Sequence, residues 1–167
     1  SDVVQPLSEE VPDGADWTVE DNVAAVRAEV LRLKPDVVAF QECRSGTPFG
    51  DSVWSKAYRL VGTAGGHCGF VHLYVRQGDL KTRVLPGIGD GVPAVGVTVY
   101  ADDDVLEVDV VAVHFPAGEE NAVARRLLLS RDLKFLLERR RSLVLAGDFN
   151  VREDEAVVWR ERFGFVD

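Results

Sequence analysis

The chain has 167 residues, 46% of them hydrophobic and 28% charged, and a formal net charge of −9 at pH 7. This length suits one domain with a sizeable core, and the composition is that of an ordinary globular protein. An acidic chain gains no general attraction for a polyanion, so binding to nucleic acid would need a local basic patch or a metal ion. No apolar stretch is long enough to span a bilayer, and the N-terminus lacks the pattern of a signal peptide.

The sequence contains no methionine, even at position 1, which predicts a processed chain or a fragment of a longer protein. Its two cysteines, Cys43 and Cys68, are too few for a disulfide framework. We therefore expect free thiols, and the cysteines do not indicate a compartment.

The first part of the chain predicts a lead-in followed by a helix. Residues 1–16 are polar and punctuated by proline and glycine, which predicts a loosely ordered segment. Thr18 is a good N-cap, and valines and a leucine recur at helical spacing behind it, which predicts a helix over residues 18–33. Pro35 ends this helix.

The middle of the chain predicts mainly strands. "DVVAF", residues 36–40, reads as a buried strand directly after a helix, which is typical of α/β layering. A short helix is predicted near residues 53–58. Four β-rich segments then follow at short spacing and predict an antiparallel meander; they are residues 68–76, 80–86, 93–101 and 105–115.

The last part of the chain predicts two helices with one strand between them. Residues 118–141 predict a single long amphipathic helix with acidic residues in its first turn and arginines in its last, both favoured by the helix dipole. Its core-facing stripe consists of Leu129, Leu133, Leu136 and Leu137. A buried strand is predicted over residues 143–146 and a closing helix over residues 153–163.

Polar side chains follow three of the predicted buried strands. Gln41 and Glu42 come after "DVVAF", His114 after "VDVVAV", and Asp148 and Asn150 after "LVLAG". Each has an ordinary explanation, respectively a solvated loop, a core histidine and a turn. Because ligand sites commonly form at the carboxyl ends of strands in α/β folds, the three features together predict one shared site.

The stretches "LKPDVVAFQE", "VVAVHFP" followed by a long helix, and "LVLAGDFN" resemble the endonuclease/exonuclease/phosphatase superfamily, which has the DNase I fold. Their order and spacing match from Asn22 onward. The resemblance implies an α/β sandwich of two mainly antiparallel sheets flanked by helices, with residues 17–167 forming a partial domain. "GDFNVREDE" also resembles tyrosyl-DNA phosphodiesterase 2-like members of the superfamily.

The resemblance implies a metal-dependent hydrolase of phosphate esters, either nucleic acid or a small phosphorylated substrate. Glu42 resembles the acidic ligand of Mg²⁺, with Mn²⁺ as the alternative ion, and carboxylate oxygen suits both. Asp148 resembles the residue that orients or deprotonates the attacking water. Asn150 resembles the residue that contacts a phosphate oxygen, and His114 stands where the family often has a histidine near the phosphate.

Two features of the family pattern are not found in this sequence. One is an asparagine on the first strand, and the other is an Asp-His pair on a late strand. Two accounts fit: the chain is a piece of an enzyme, or it is a catalytically lapsed member that serves as a structural or interaction subunit. Either way, we expect a protein partner or further residues to cover the incomplete sheet edge, because exposed edges are normally covered.

Histidine and cysteine residues offer weaker candidates for chemistry. His67, Cys68 and His72 could suggest zinc, but no second cluster has ligand spacing, so a structural role is the favoured interpretation. Cys43 directly follows Glu42 and could be a reactive thiol near the site, although nothing in the sequence marks its pKa as lowered.

Arginines of the predicted long helix offer a further candidate. Arg125, Arg126 and Arg131 could form a small basic patch for phosphate, whereas the more conservative interpretation is a solvated helix face.

Overall fold

The computed structural model describes residues 19–43, 51–66, 69–88, 91–101, 107–139 and 142–164. The predicted lead-in at residues 1–16 lies outside this part, as do His67 and Cys68. The chain divides into two compact units, Ser1–Leu33 and Lys34–Asp167. In the first unit, helix α1 spans Val19–Leu33, as the sequence predicts, and an ion pair joins Glu29 to Arg32 one turn apart.

The second unit contains two β-sheets. Strands β1 (Val37–Cys43), β2 (Tyr58–Gly66) and β3 (Gly69–Arg76) form an antiparallel sheet in the order β1-β3-β2. Four further strands form the other sheet in sequence order; they are β4 (Lys81–Val84), β5 (Ala94–Tyr100), β6 (Glu107–His114) and β7 (Ser142–Asp148). Its pairs are antiparallel except β6–β7, which is parallel.

A valine-rich core joins the two sheets. Alternate residues of a strand share a face, and one face of β3 packs against β5 and β6 of the other sheet. This core consists of Val71, Leu73, Val75, Val97, Val99, Val110 and Ala112, which are all buried. Valine suits the packed face of a sheet because its branched side chain has few χ1 rotamers and therefore loses little freedom on burial. The predicted α/β sandwich of two mainly antiparallel sheets is thereby confirmed.

A second core lies between the four-stranded sheet and helices. Val111, Val113 and Phe115 pack there with Trp159 of helix α5 (Glu153–Phe163) and with three leucines of the predicted stripe. The fourth, Leu137, is half-buried and does not belong to this core. Leu129, Leu133 and Leu136 of that stripe are at most 1% exposed. None of the helices in the described part of the chain combines the length and apolarity needed to cross a membrane.

The strand pairing differs from the predicted meander in one respect. Only β4, β5 and β6 form a meander, because β3 instead pairs with β1 and β2 in the other sheet. Strand β2 was not predicted at all. It follows directly after the short helix α2 (Ser52–Ala57), which the sequence does predict.

The predicted long helix over residues 118–141 is wrong as a single helix. The chain instead forms a 3₁₀ turn (Glu119–Asn121), helix α3 (Ala122–Leu127), a π-helical segment (Leu128–Asp132) and helix α4 (Lys134–Glu138). The amide of Leu133 donates to the carbonyl of Leu128 at 2.8 Å, five residues back, as in a π turn. This wider turn takes up an extra residue, and Leu129 within it and Leu133 and Leu136 after it lie in the core.

Candidate functional site

His114 and Asp148 lie side by side at the ends of the two parallel strands. They are paired in the register of β6 and β7, and the amide of Phe115 donates to the Asp148 carbonyl at 2.8 Å. Alternation along β6 places His114 on the face that carries Val110 and Ala112, which is the face toward the other sheet. Paired positions of neighbouring strands share a face, so Asp148 lies on that face as well.

The segment "GDFN" forms a turn that joins the carboxylate to the carboxamide. Asp148 Oδ1 accepts a hydrogen bond from the amide of Asn150 at 2.8 Å, and Asn150 Nδ2 donates to the carbonyl of Phe115 at 2.7 Å. The first bond is an Asx turn, in which a side chain replaces a backbone acceptor. The turn interpretation and the paired-site interpretation are therefore compatible, since the turn brings Asn150 beside β6.

Glu42 reaches the same place from the three-stranded sheet. The register of β1 against β3 shifts between Phe40 and Cys43, and Glu42 lies within this irregularity. Its side chain is 66% exposed, and Oε1 lies 3.6 Å from Nε2 of His114, whose side chain is 6% exposed. This distance is longer than a hydrogen bond. The carboxylate therefore faces the histidine across the junction of the two sheets.

These side chains surround a cleft of about 680 Å³. Glu42, His114 and Asn150 line it, whereas Asp148 lies next to His114 without lining it. The volume is in the range of small-molecule sites. The structure thus brings the three predicted strand ends together, with Asp148 beside His114.

Two of the residues that line the cleft have a backbone conformation that L-amino acids rarely adopt. Glu42 has φ 55° and Asn150 has φ 49°. Asparagine tolerates the left-handed region, but glutamate there carries a cost of about 1–2 kcal/mol. Such positions are frequent at functional sites, which makes the backbone of Glu42 a feature to test.

We expect Glu42→Gly to raise the free energy of unfolding and to lower any activity that the cleft supports. Glycine relieves the left-handed strain, and after its greater loss of entropy on folding a net gain of roughly 0.5–1 kcal/mol in the free energy of unfolding remains. Urea unfolding followed by circular dichroism measures this gain.

Lys34 provides the matched control for this substitution, because it has φ 52° and does not line the cleft. Lys34→Gly should raise stability by a similar amount and leave activity unchanged. A Glu42→Gly protein that keeps full activity would show that the strained carboxylate has no functional part.

The histidine and cysteine candidates do not form a second site among the described residues. His72 is 5% exposed, stacks on Phe70, and burial lowers its pKa, so it is a neutral core histidine. Within the described ranges, no three His, Cys, Asp or Glu side chains converge as metal ligands. Burial raises the pKa of the Cys43 thiol, which argues against a reactive thiolate.

The arginines of the helical connection have different environments. Arg125 is 1% exposed, so its prediction as part of a solvated face or basic patch is wrong. Its guanidinium donates from Nη1 to the carbonyls of Pro116 and Gly118 and forms a two-point ion pair with Glu155. No local sequence pattern signals this buried arginine, because its partners come from a loop and from α5.

The sequence matches the model of the Endonuclease/Exonuclease/phosphatase family over residues 17–164, and the chain therefore belongs to this family. No curated protein gives a significant match to the sequence. Solved structures give many matches.

Three solved structures illustrate the shared fold. The chain covers 60% of the human Nocturnin catalytic domain with bound sulfate anion, using 84% of its own length, at 17% identity and a TM-score of 0.65. It covers 61% of D. rerio TDP2 complexed with single strand DNA product, using 91% of its own length, at 15% identity and a TM-score of 0.64. It covers 65% of the endonuclease domain of TRAS1, a telomere-specific non-LTR retrotransposon, using 84% of its own length, at 16% identity and a TM-score of 0.61.

These likenesses define the α/β sandwich, in agreement with the resemblance noted in the sequence. The chain spans less than two thirds of the length of each of these structures. TDP2 structures are among the matches, together with the TRAS1 endonuclease domain.

Proposed function

We propose that the protein hydrolyses a phosphate ester with the help of a divalent metal ion, using the cleft between the two sheets. One observation carries this proposal: Glu42, His114 and Asn150 come from three separate segments and line one cleft, with Asp148 beside them. Membership in a family of nucleases and phosphatases supports the reaction class. Among the solved relatives, one holds a sulfate anion and another a DNA product, which supports a phosphate-bearing substrate.

Glu42 is the residue that would hold the metal ion. Its exposed carboxylate faces the cleft, and a hard ion such as Mg²⁺ takes one or two carboxylates and completes its ligands with water and substrate phosphate. Mn²⁺ accepts the same oxygen ligands. The residues present therefore fit such an ion as a partly open site. When bound, the ion would offset negative charge on the phosphoryl oxygens.

Asp148 would prepare the attacking water. One of its carboxylate oxygens is held by the amide of Asn150, which fixes the side chain and leaves the other oxygen to accept a proton from water. A positioned carboxylate of this kind contributes about 10²–10⁴-fold to a rate as a general base.

Asn150 and His114 would contact the phosphate. The amide of Asn150 uses one N–H for the Phe115 carbonyl, and the second N–H remains to donate to a phosphate oxygen. His114 places Nε2 near Glu42 at the same end of the cleft, where its N–H could donate to a second phosphate oxygen.

The proposal predicts Mg²⁺-dependent release of nitrophenol from bis-p-nitrophenyl phosphate. Asp148→Ala should lower kcat by about 10²–10⁴-fold, because the water loses its base. Glu42→Gln should raise the Mg²⁺ concentration needed for half-maximal activity, because the ligand loses its charge.

Asp79→Ala is the matched control, since Asp79 is exposed in the turn between β3 and β4 and does not line the cleft. Its rate should equal that of the wild type. Equal rates for Asp148→Ala and the wild type would exclude this mechanism. A wild-type rate no higher than that of Mg²⁺ alone would favour the alternative of a structural or interaction subunit.

A further inference from the structure

The helical connection between β6 and β7 gives the cleft an apolar wall. Ala124 and Leu127 of α3 and Leu128 of the π-helical segment all line it. Leu127 is 40% exposed, so part of its aliphatic side chain faces the open space of the cleft. The cleft therefore has an aliphatic region next to the polar group formed by Glu42, His114 and Asn150.

The charges around the cleft do not suit a polyanion. Among the described residues that line it, Arg131 is the one lysine or arginine, and Asp132 binds its guanidinium through hydrogen bonds of 2.8 and 3.0 Å. The carboxylates of Glu42, Glu120 and Asp132 line the same space. A nucleic-acid strand obtains most of its affinity from several lysine or arginine contacts to phosphates, and these lining residues do not supply them.

The aromatic content of the cleft also argues against stacked bases. Single-stranded nucleic acids bind largely by stacking bases on exposed aromatic rings. Phe115 is the aromatic residue among the described lining residues, and it is 0% exposed because it packs in the core with Phe149 and Trp159. The exposed apolar surface of the cleft is aliphatic.

We propose that the preferred substrate is a small phosphate ester that carries an apolar alkyl or aryl group, and that this group lies on Leu127 and Leu128. The proposal rests on the proposed function, which places the phosphoryl group near Glu42, His114 and Asn150. The cleft volume of about 680 Å³ is large enough for a phosphoryl group together with such a substituent.

Binding of alkylphosphonates tests the apolar wall without any hydrolysis. Methyl-, butyl- and hexylphosphonate share one charged head and differ only in apolar length. Calorimetric titration of the protein in Mg²⁺ should give an affinity that rises roughly two- to fourfold for each added methylene. Leu127→Asp should remove this dependence, and Leu127→Ala should weaken it.

Val123 offers a matched control on the same helix. It is 57% exposed and lies one turn before Leu127, and it does not line the cleft. Val123→Asp introduces the same charge on α3 and should leave the dependence on chain length unchanged. This comparison separates an effect on the cleft from an effect on the stability of the helix.

Three results would overturn the inference: equal affinity across the series, an unchanged dependence in Leu127→Asp, or an oligothymidylate that binds more tightly than hexylphosphonate. Hydrolysis is measured separately with bis-p-nitrophenyl phosphate. Hydrolysis without a dependence on chain length would overturn the apolar wall alone. A dependence on chain length without Mg²⁺-dependent hydrolysis would support the wall and contradict the proposed reaction.

Discussion

Replacing Gly147 with alanine is expected to lower the free energy of unfolding by about 3–5 kcal/mol. Gly147 has φ 137°, and a Cβ atom built on it would lie 2.0 Å from the carbonyl oxygen of Val113 on β6. The substitution therefore adds a steric overlap to a conformation that alanine rarely adopts. Since Asp148 follows Gly147 directly, we also expect the folded fraction of the variant to lose hydrolytic activity. Urea unfolding followed by tryptophan fluorescence gives the stability.

Substitution of Gly78 separates the cost of the steric overlap from the cost of the backbone conformation. It has φ 140°, nearly the same as Gly147, but a Cβ atom there would meet no atom within 4 Å. Gly78→Ala should therefore show only the conformational cost, about 1–3 kcal/mol, and keep its activity. If the two variants were equally destabilised, the close approach of β7 to β6 would not be the reason for glycine at position 147.

Arg125→Ala is the second substitution with a large expected effect, a loss of about 3–5 kcal/mol of stability. It leaves the carboxylate of Glu155 without its cation, the carbonyl of Pro116 without the guanidinium donor, and the carbonyl of Gly118 with only the amide of Asn121, at 3.2 Å. Pro116 lines the cleft directly after His114 and Phe115, so the loop around the site should loosen as well. Chemical denaturation gives the stability, and the KM for bis-p-nitrophenyl phosphate reports on the loop.

Arg126 is the neighbouring control, because it is exposed on the same helix. Arg126→Ala should change stability by no more than about 0.5 kcal/mol. In Glu155→Ala the guanidinium keeps its loop carbonyls, so the double variant with Arg125→Ala should cost less than the sum of the two single changes. A fully additive double variant, or equal effects at Arg125 and Arg126, would contradict a specific buried ion pair.

The strands that were predicted correctly are those that local pattern determines. Valine-rich runs such as β6 are buried on both faces, and their apolar character is visible in any short window of sequence. Strand β2 was missed because Gly62, Gly65 and Gly66 lower its strand propensity. The structure gives a reason for one of these glycines, since a Cβ atom at Gly62 would lie 2.3 Å from Cγ2 of Val95 in the other sheet. The contact between the two sheets therefore requires glycine at position 62, and the local sequence does not reveal this requirement.

Part of the arrangement of the candidate site residues could also be predicted from the sequence. Parallel pairing of β6 with β7 brings His114 and Asp148 together, and it follows from two apolar strands joined by a helical connection. The prediction of a buried strand over residues 143–146 is wrong in burial, because β7 has no fully buried residue and Val144 is 48% exposed. The environment of Arg125 was not predictable, because its burial depends on a loop and a helix that are distant in the sequence. The same holds for the π-helical segment, which a regular helical spacing of leucines does not reveal.

Glu42 belongs to one sheet, His114 ends a strand of the other, and Asn150 lies in the turn after the last strand of that second sheet. The three residues are far apart in the sequence. Contacts between such distant segments are costly in chain entropy and form slowly during folding. The cleft can exist only after the two sheets have packed together through their valine core. A folding intermediate with either sheet alone would have β-structure but no site, and recovery of activity on refolding would report the docking of the sheets.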